Sequence, residues 1–156
     1  MKALTLPKAK YYAFVKFQIL QYASIYEAIL DYYLDKYFKT EVTNRYADVT
    51  YSPVEAMSKD TNITYQGNKL VLCKKITRAK PIKLIKIQSR TEFAVDKGII
   101  SEAMRTRICN LYDLRNNVHI LKAAAKGYVP KLEEAKTAQM IMEDFVDEIK
   151  IFIATL

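Results

Sequence analysis

Between Lys8 and Phe38 apolar residues recur every three or four positions, through Phe14, Phe17, Leu20, Ala23, Tyr26, Ile29, Leu30, Tyr33, Leu34, Tyr37 and Phe38. This spacing predicts one continuous helix, roughly 45 Å long at about 1.5 Å per residue. The apolar cover extends around much of the cylinder. A helix of that kind needs burial from two sides, by its own core and, as one option, by a second subunit. Lys16, Gln18, Gln21, Glu27, Asp31, Asp35 and Lys36 interrupt the run, so it does not read as a membrane span.

The remaining elements follow from punctuation. Residues 39 to 61 lose the helical period and carry Thr40, Thr43, Asn44, Ser52, Pro53 and Asp60, which predicts an irregular connection. Residues 62 to 74 predict a small β-hairpin: Ile63-Thr64-Tyr65 favours a strand, Gln66-Gly67-Asn68 a turn, and Leu70-Val71-Leu72 a returning strand. Pro81 can open a helix, and Gly98 can end it. Ser101 is placed to cap the next helix, through Met104, Ile108, Leu111, Leu114 and Val118, which ends between Leu121 and Gly127. Pro130 opens the last, striped by Leu132, Ala135, Ala138, Ile141, Met142, Phe145, Ile149, Phe152 and Ile153. The fold class is therefore mostly α, four main helices in a bundle with an inserted hairpin. With 156 residues, three Gly and four Pro, no repeat and no linker, residues 1–156 read as one helical domain.

Charge narrows the partners. The net charge is +8, and Thr61 to Arg90 holds no acidic residue. That stretch carries Lys69, Lys74, Lys75, Arg78, Lys80, Lys83, Lys86 and Arg90, which matches the whole excess. A focused positive block suits phosphate backbones, so Lys74, Lys75, Arg78, Lys80, Lys83, Lys86 and Arg90 are the candidate RNA contacts; the alternative is a solvated lysine face. One His, with Cys73 and Cys109 far apart, offers no metal-ligand spacing, so neither metal nor other cofactor is expected. Reduced cysteines and the absence of a targeting run in Met1–Lys10 fit a cytoplasmic protein without membrane attachment.

The segment Leu114-Arg115-Asn116-Asn117-Val118-His119 contains the single histidine. On a helix Arg115 and His119 share a face as i and i+4. With Leu111 set to zero and roughly 100° per residue, Met104, Ile108 and Val118 fall within roughly 60° of it, Arg115 falls near roughly 40° and His119 near roughly 80°. Arginine inside an apolar stripe is costly unless it is paired, sits at an interface or meets an anionic ligand. A structural Arg with a satisfied His is one reading. The other is phosphodiester cleavage, with His119 moving a proton and Arg115 stabilising negative charge on phosphorus, without metal. Glu27, a carboxylate inside an apolar helix, reads as a buried partner, for instance of Arg115. The tyrosines at 11, 12, 22, 26, 32, 33 and 37 read as packing residues.

The run Ile108–Ile120, ICNLYDLRNNVHI, resembles the signature helix of HEPN domains, with its Leu-Arg-Asn start and nearby His. Gln21–Tyr33, with Glu27, is similar to the first helix of many such domains, and Glu92–Met104 resembles their Gly-Ile-Ile element. Three residues separate Arg115 from His119, where the family pattern leaves four to six. The resemblance implies a four-to-five-helix bundle acting as a metal-independent endoribonuclease on single-stranded RNA, in a toxin–antitoxin or anti-phage defence setting. Arg115 would contact phosphate, His119 transfer a proton and Asn116 orient its neighbours. It also implies a homodimer and an antitoxin or defence-system partner. Some family members are inactive, so a non-catalytic RNA- or protein-binding module is the alternative.

Overall fold

The computed structural model describes residues 8–55, 63–118 and 128–156. Among these residues the fold is mostly α, with four helices and one inserted β-arm. Helix α1 spans Lys8–Arg45. Its buried stripe is Val15, Ile19, Ala23, Tyr26, Leu30 and Leu34, all within 4% of complete burial. The steps of three and four between them are the helical repeat. Phe14 and Phe17, on the second apolar face, are 51% and 61% exposed. The chain's own core therefore covers only one of the two faces.

The helix runs past its expected end at Phe38. The backbone breaks from helical geometry there (φ −135°, ψ 18°), but the chain resumes helix to Arg45. Three contacts retain that extension. Val42 is fully buried, Arg45 Nη1 donates to Asp96 Oδ2 at 2.5 Å, and Lys97 pairs with Glu41. The Thr43 hydroxyl donates back to the Lys39 carbonyl at 2.7 Å, a local bond that does not itself favour the helix. Tertiary contacts thus override a local sequence of poor helix formers.

The arm is larger than the hairpin expected over 62–74. Strand β1 (Asp48–Pro53) pairs antiparallel with β4 (Cys73–Arg78), from Asp48 opposite Arg78 to Pro53 opposite Cys73. At the tip, β2 (Thr64–Tyr65) pairs with β3 (Asn68–Lys69) around Gln66 and Gly67, both at positive φ. Leu70 lies just beyond β3 and still donates to Ile63 O at 2.8 Å, while Val54 N reaches Leu72 O at 2.9 Å. Strand β1 occupies part of the expected irregular connection. Its Thr, Ser and Pro content hides it, and no alternation of buried residues marks it, because every residue of β1 is exposed.

Pro81 does not open a full helix. It precedes a 3-10 turn, Ile82–Leu84, which buries Ile82, and α2 begins at Ile87 and runs to Asp96. Gly98 (φ +68°) then ends it as expected: Gly98 N–H reaches Val95 O and Ile99 N–H reaches Ala94 O, both at 2.9 Å. The Ser101 hydroxyl accepts from Met104 N–H at 3.1 Å and caps α3, Glu102–Asn117. Glu148 of the last helix accepts from both the Ser101 N–H and hydroxyl at 2.7 Å, which ties the start of the helix that follows Ser101 to that last helix. The last helix, α4, spans Leu132–Ala154 and starts two residues after Pro130. Glu134 Oε2 accepts from Lys131 N–H at 2.8 Å and so satisfies a donor at its entry.

Helix α1 packs against each of the other three, α2 against α3, and α3 against α4. Between α1 and α4, the Tyr26 hydroxyl donates to Ala138 O at 2.9 Å and its ring meets Phe145 at 5.1 Å. Burial pushes the Tyr26 phenol well above its ordinary pKa, so the group stays a neutral donor. Tyr33, Tyr37 and Phe38 close the same seam on Phe152.

Gly98 gives a direct check. A Cβ there meets nothing within 4 Å, so only the left-handed backbone penalises a side chain. Gly98→Ala is expected to destabilise by about 1 kcal/mol, and Gly98→Asn by less. Thermal unfolding of the two variants beside wild type measures this, and equal midpoints would refute the assigned role of the turn.

Candidate functional site

The candidate site forms where α1, α2 and α3 meet. Glu27 and Asp31 lie one turn apart on α1 and face the same way. From α2, Arg90 reaches both: Nη2 lies 2.5 Å from Glu27 Oε1, and Nη1 pairs with Asp31 Oδ1. From α3, Arg115 Nη1 lies 3.5 Å from the other Glu27 oxygen. Glu27 therefore bridges two guanidinium groups on different helices.

The two arginines occupy different environments. Arg90 is 2% exposed and is the largest fully buried side chain among the described residues, whereas the Arg115 side chain is 31% exposed. Burial opposes the charge on Arg90, but the hydrogen bonds it donates to Glu27 and Asp31 outweigh it and hold the guanidinium ionised. Arg90 Nε has no protein partner among the described residues. Arg115 rests with its guanidinium carbon 5.0 Å from the centre of the Tyr112 ring, one turn earlier on α3. Among the described residues no second acceptor takes up its remaining donors.

This arrangement answers the sequence reading residue by residue. Glu27 does partner Arg115, as expected. The apolar stripe beside Arg115 is also as expected, with Met104, Ile108, Leu111 and Val118 all buried. Asn116 is half-buried, and no hydrogen bond joins it to Arg115 or Glu27 among the described residues. His119 lies outside the described residues, as does the expected end of this helix between Leu121 and Gly127. Next to α3's end, a crevice of about 220 Å³ opens between Tyr12, Lys16, Val118 and Tyr128.

The basic block divides into separate environments. Lys69, Lys74, Lys75 and Arg78 stand exposed on the arm, and Lys83 and Lys86 stand exposed in the connection to α2. Lys80 is half-buried, with Nζ 2.8 Å from Asp48 Oδ1. Arg90 is a correction: it is not a surface cation for RNA, because burial and two carboxylates occupy it. The signal was present in the sequence. Ile87, Arg90, Thr91 and Ala94 follow the helical repeat, so the angular argument used for Arg115 also puts Arg90 on the core-facing side of its helix. Asp31 and Tyr112 were missed although both lie inside the quoted runs; the signal was spacing, Asp31 standing four residues after Glu27 and Tyr112 three before Arg115.

No group of three or more His, Cys, Asp or Glu that could hold a metal ion occurs among the described residues. No described helix is long and apolar enough to cross a membrane. The chain matches no protein-family model, no curated protein and no solved structure.

The network makes a stability prediction with a defined pH sign. Burial raises the Asp31 carboxyl above the usual carboxylate value, and the Arg90 hydrogen bond pulls the other way. A raised folded pKa means that the contribution of Asp31 is full below its unfolded pKa and is lost as pH rises through the folded one. Arg90→Ala removes the opposing pull and leaves Glu27 and Asp31 facing each other. It is expected to destabilise by about 3 kcal/mol at neutral pH, and by less as pH falls toward the carboxylate range. Denaturant unfolding across that range measures it; a loss that does not vary with pH would show that the ion pairs are not its source.

Proposed function

We propose that the protein is a HEPN-type, metal-independent endoribonuclease acting on single-stranded RNA, with Arg115 and His119 as its working pair. The observation that carries this reading is the Glu27–Arg115 contact across α1 and α3. It joins the first-helix carboxylate to the signature arginine, and so brings together two segments on which the family resemblance rests. The third segment supplies the Gly98 turn and the buried Ile99 and Ile100 that set α2 against α3.

In this mechanism Arg115 stays a cation at a partly open edge, held by Glu27 and the Tyr112 ring. It is available to a phosphate that develops extra negative charge. His119 takes the proton of the ribose 2′-hydroxyl as that oxygen attacks phosphorus, or returns one to the departing 5′-oxygen. The products are a 2′,3′-cyclic phosphate and a free 5′-hydroxyl. A toxin or defence protein working as a homodimer with a regulating partner belongs to the same proposal.

The Glu27–Arg115 contact also favours a second reading. A guanidinium already engaged by a carboxylate has less to offer a phosphate, and the three-residue spacing to His119 is short for the family. A non-catalytic RNA- or protein-binding module follows from both.

Cleavage of a mixed single-stranded RNA in EDTA separates the two. Wild type is expected to cut and leave cyclic phosphate ends. Arg115→Ala and His119→Ala are each expected to lose at least about a hundred-fold in rate, the lower range for losing a proton-transfer group or an oxyanion donor. The thermal midpoint of Arg115→Ala should fall little, because a partly exposed ion pair contributes only about 0.5–1 kcal/mol. Cutting at wild-type rate by His119→Ala would remove the catalytic assignment, and salt-sensitive RNA binding without cutting by wild type would establish the second reading.

A further inference from the structure

The β-arm carries chemistry that the candidate site does not use. Side chains alternate across a two-stranded ladder, so the register fixes which residues share a face. Tyr51 stands directly opposite Lys75, with Val49 and Thr77 beside them on that face. The other face carries Lys74 opposite Ser52 and Arg78 opposite Asp48. At the tip, Tyr65 pairs with Asn68, and Lys69 with Thr64.

Two features separate these side chains from their counterparts on the helices. Tyr51 and Tyr65 are 67% and 64% exposed, the most open of the twelve tyrosines. Neither makes a ring contact or hydrogen bond among the described residues, whereas Tyr33, Tyr37 and Tyr26 are built into the α1–α4 seam. The charges differ in the same way. The ladder's only carboxylate, Asp48, is taken by Lys80, and no described carboxylate pairs with Lys69, Lys74, Lys75 or Arg78. Apolar ring faces in water beside unpaired cations match a polyanion that also presents flat apolar surfaces. An unpaired polynucleotide strand has that composition: phosphates at regular intervals and bases whose faces are free. In a duplex those faces are already stacked.

We propose that the arm is a strand-gripping site for single-stranded RNA. Tyr51 and Tyr65 stack on bases, Lys75 neutralises the phosphate adjoining the Tyr51 base, and Lys69, Lys74 and Arg78, on the opposite faces, add attraction for the strand as a whole. Directly opposed residues in such a ladder have Cβ atoms about 5 Å apart, which sets the Lys75 ammonium alongside a base resting on Tyr51. The choice of RNA rests on the function proposed above; the preference for an unpaired strand rests on the arm alone.

The test is fluorescence anisotropy with a labelled mixed-sequence 12-nucleotide RNA, the matching RNA duplex and the matching single-stranded DNA. The full-length chain is used in a His119→Ala background, so that cleavage does not consume the probe. Tyr51→Ala and Tyr65→Ala are each expected to weaken single-strand binding about ten-fold, and Tyr51→Phe to leave it unchanged. Lys74→Gln/Lys75→Gln should flatten the slope of log affinity against log salt by about 0.7 per contact removed. Thermal midpoints should not move, since these side chains are exposed and bury no apolar surface in the core.

Tyrosine variants that bind like the parent, or a parent that binds duplex as tightly as the single strand, would overturn the proposal. So would unchanged RNA affinity in the tyrosine variants with loss of a dimer in sedimentation, which would make the arm an interface between copies. Equal binding of RNA and DNA strands would support the grip and show that the arm does not read the 2′-hydroxyl. The nuclease reading is decided separately by cleavage with wild-type His119: binding without cutting removes that reading and leaves the arm, whereas cutting with unaffected tyrosine variants removes the arm and leaves the nuclease.

Discussion

The buried guanidinium of Arg90 is the constraint around which the bundle is arranged. A charge at 2% exposure is tolerable only when acceptors are fixed around it, and a carboxylate on each of two successive turns of α1 supplies them. That requirement fixes the register of α2 against α1, because a shift of one residue would turn Arg90 out of reach of both. It also fixes Glu27, whose second oxygen is left facing α3. Arg115 is then drawn to a defined position at a solvent-facing edge, not left as a free surface cation. The candidate site is thus the outer end of a network whose inner end is structural. A substitution at Arg90 should therefore alter Arg115 chemistry through the carboxylate they share.

The same network explains why α1 is so long. Its middle third supplies Glu27 and Asp31 to Arg90, Tyr26, Tyr33, Tyr37 and Phe38 carry the seam with α4, and the turns after Phe38 make the contacts with Asp96 and Lys97. Neighbouring helices thus use different faces and stretches of one scaffold. The break at Phe38 lets the last turns follow α2 while the Phe38 ring remains in the aromatic seam with Phe93 and Phe152.

What the sequence disclosed depended on whether an element is buried on one side. The helices were legible because one face packs and the other is wet, which writes the 3.6-residue period directly. Gly98 and Ser101 were legible as caps because left-handed backbone and an orphan N–H each demand particular residue types. Strand β1 was not, because both of its faces are exposed and no period-two burial is recorded in its residues. The charge run from Thr61 to Arg90 misled at Arg90 for a related reason. Counting charges along a chain ignores which way a helix turns them, and the apolar neighbours at Ile87 and Ala94 carried the orientation. Arg115 was placed well because the angular argument was applied to it.

The division of the basic block bears on how the two proposed sites would work together. Within the bundle most cations are neutralised: Arg45, Lys97, Arg105, Arg107 and Arg90 each have a carboxylate partner. On the arm no described carboxylate pairs with Lys69, Lys74, Lys75 or Arg78, so unpaired positive charge stands there, whereas Arg115 has Glu27 at 3.5 Å. Long-range attraction of a polyanion would therefore act on the arm first. The neutralised edge at Glu27 and Arg115 would contribute little to capture, since its electrostatic gain appears only when a phosphate acquires additional charge. Separating capture from chemistry in this way keeps binding energy from being expressed equally in ground and transition states, which is the condition under which a weakly binding arginine can still accelerate a reaction.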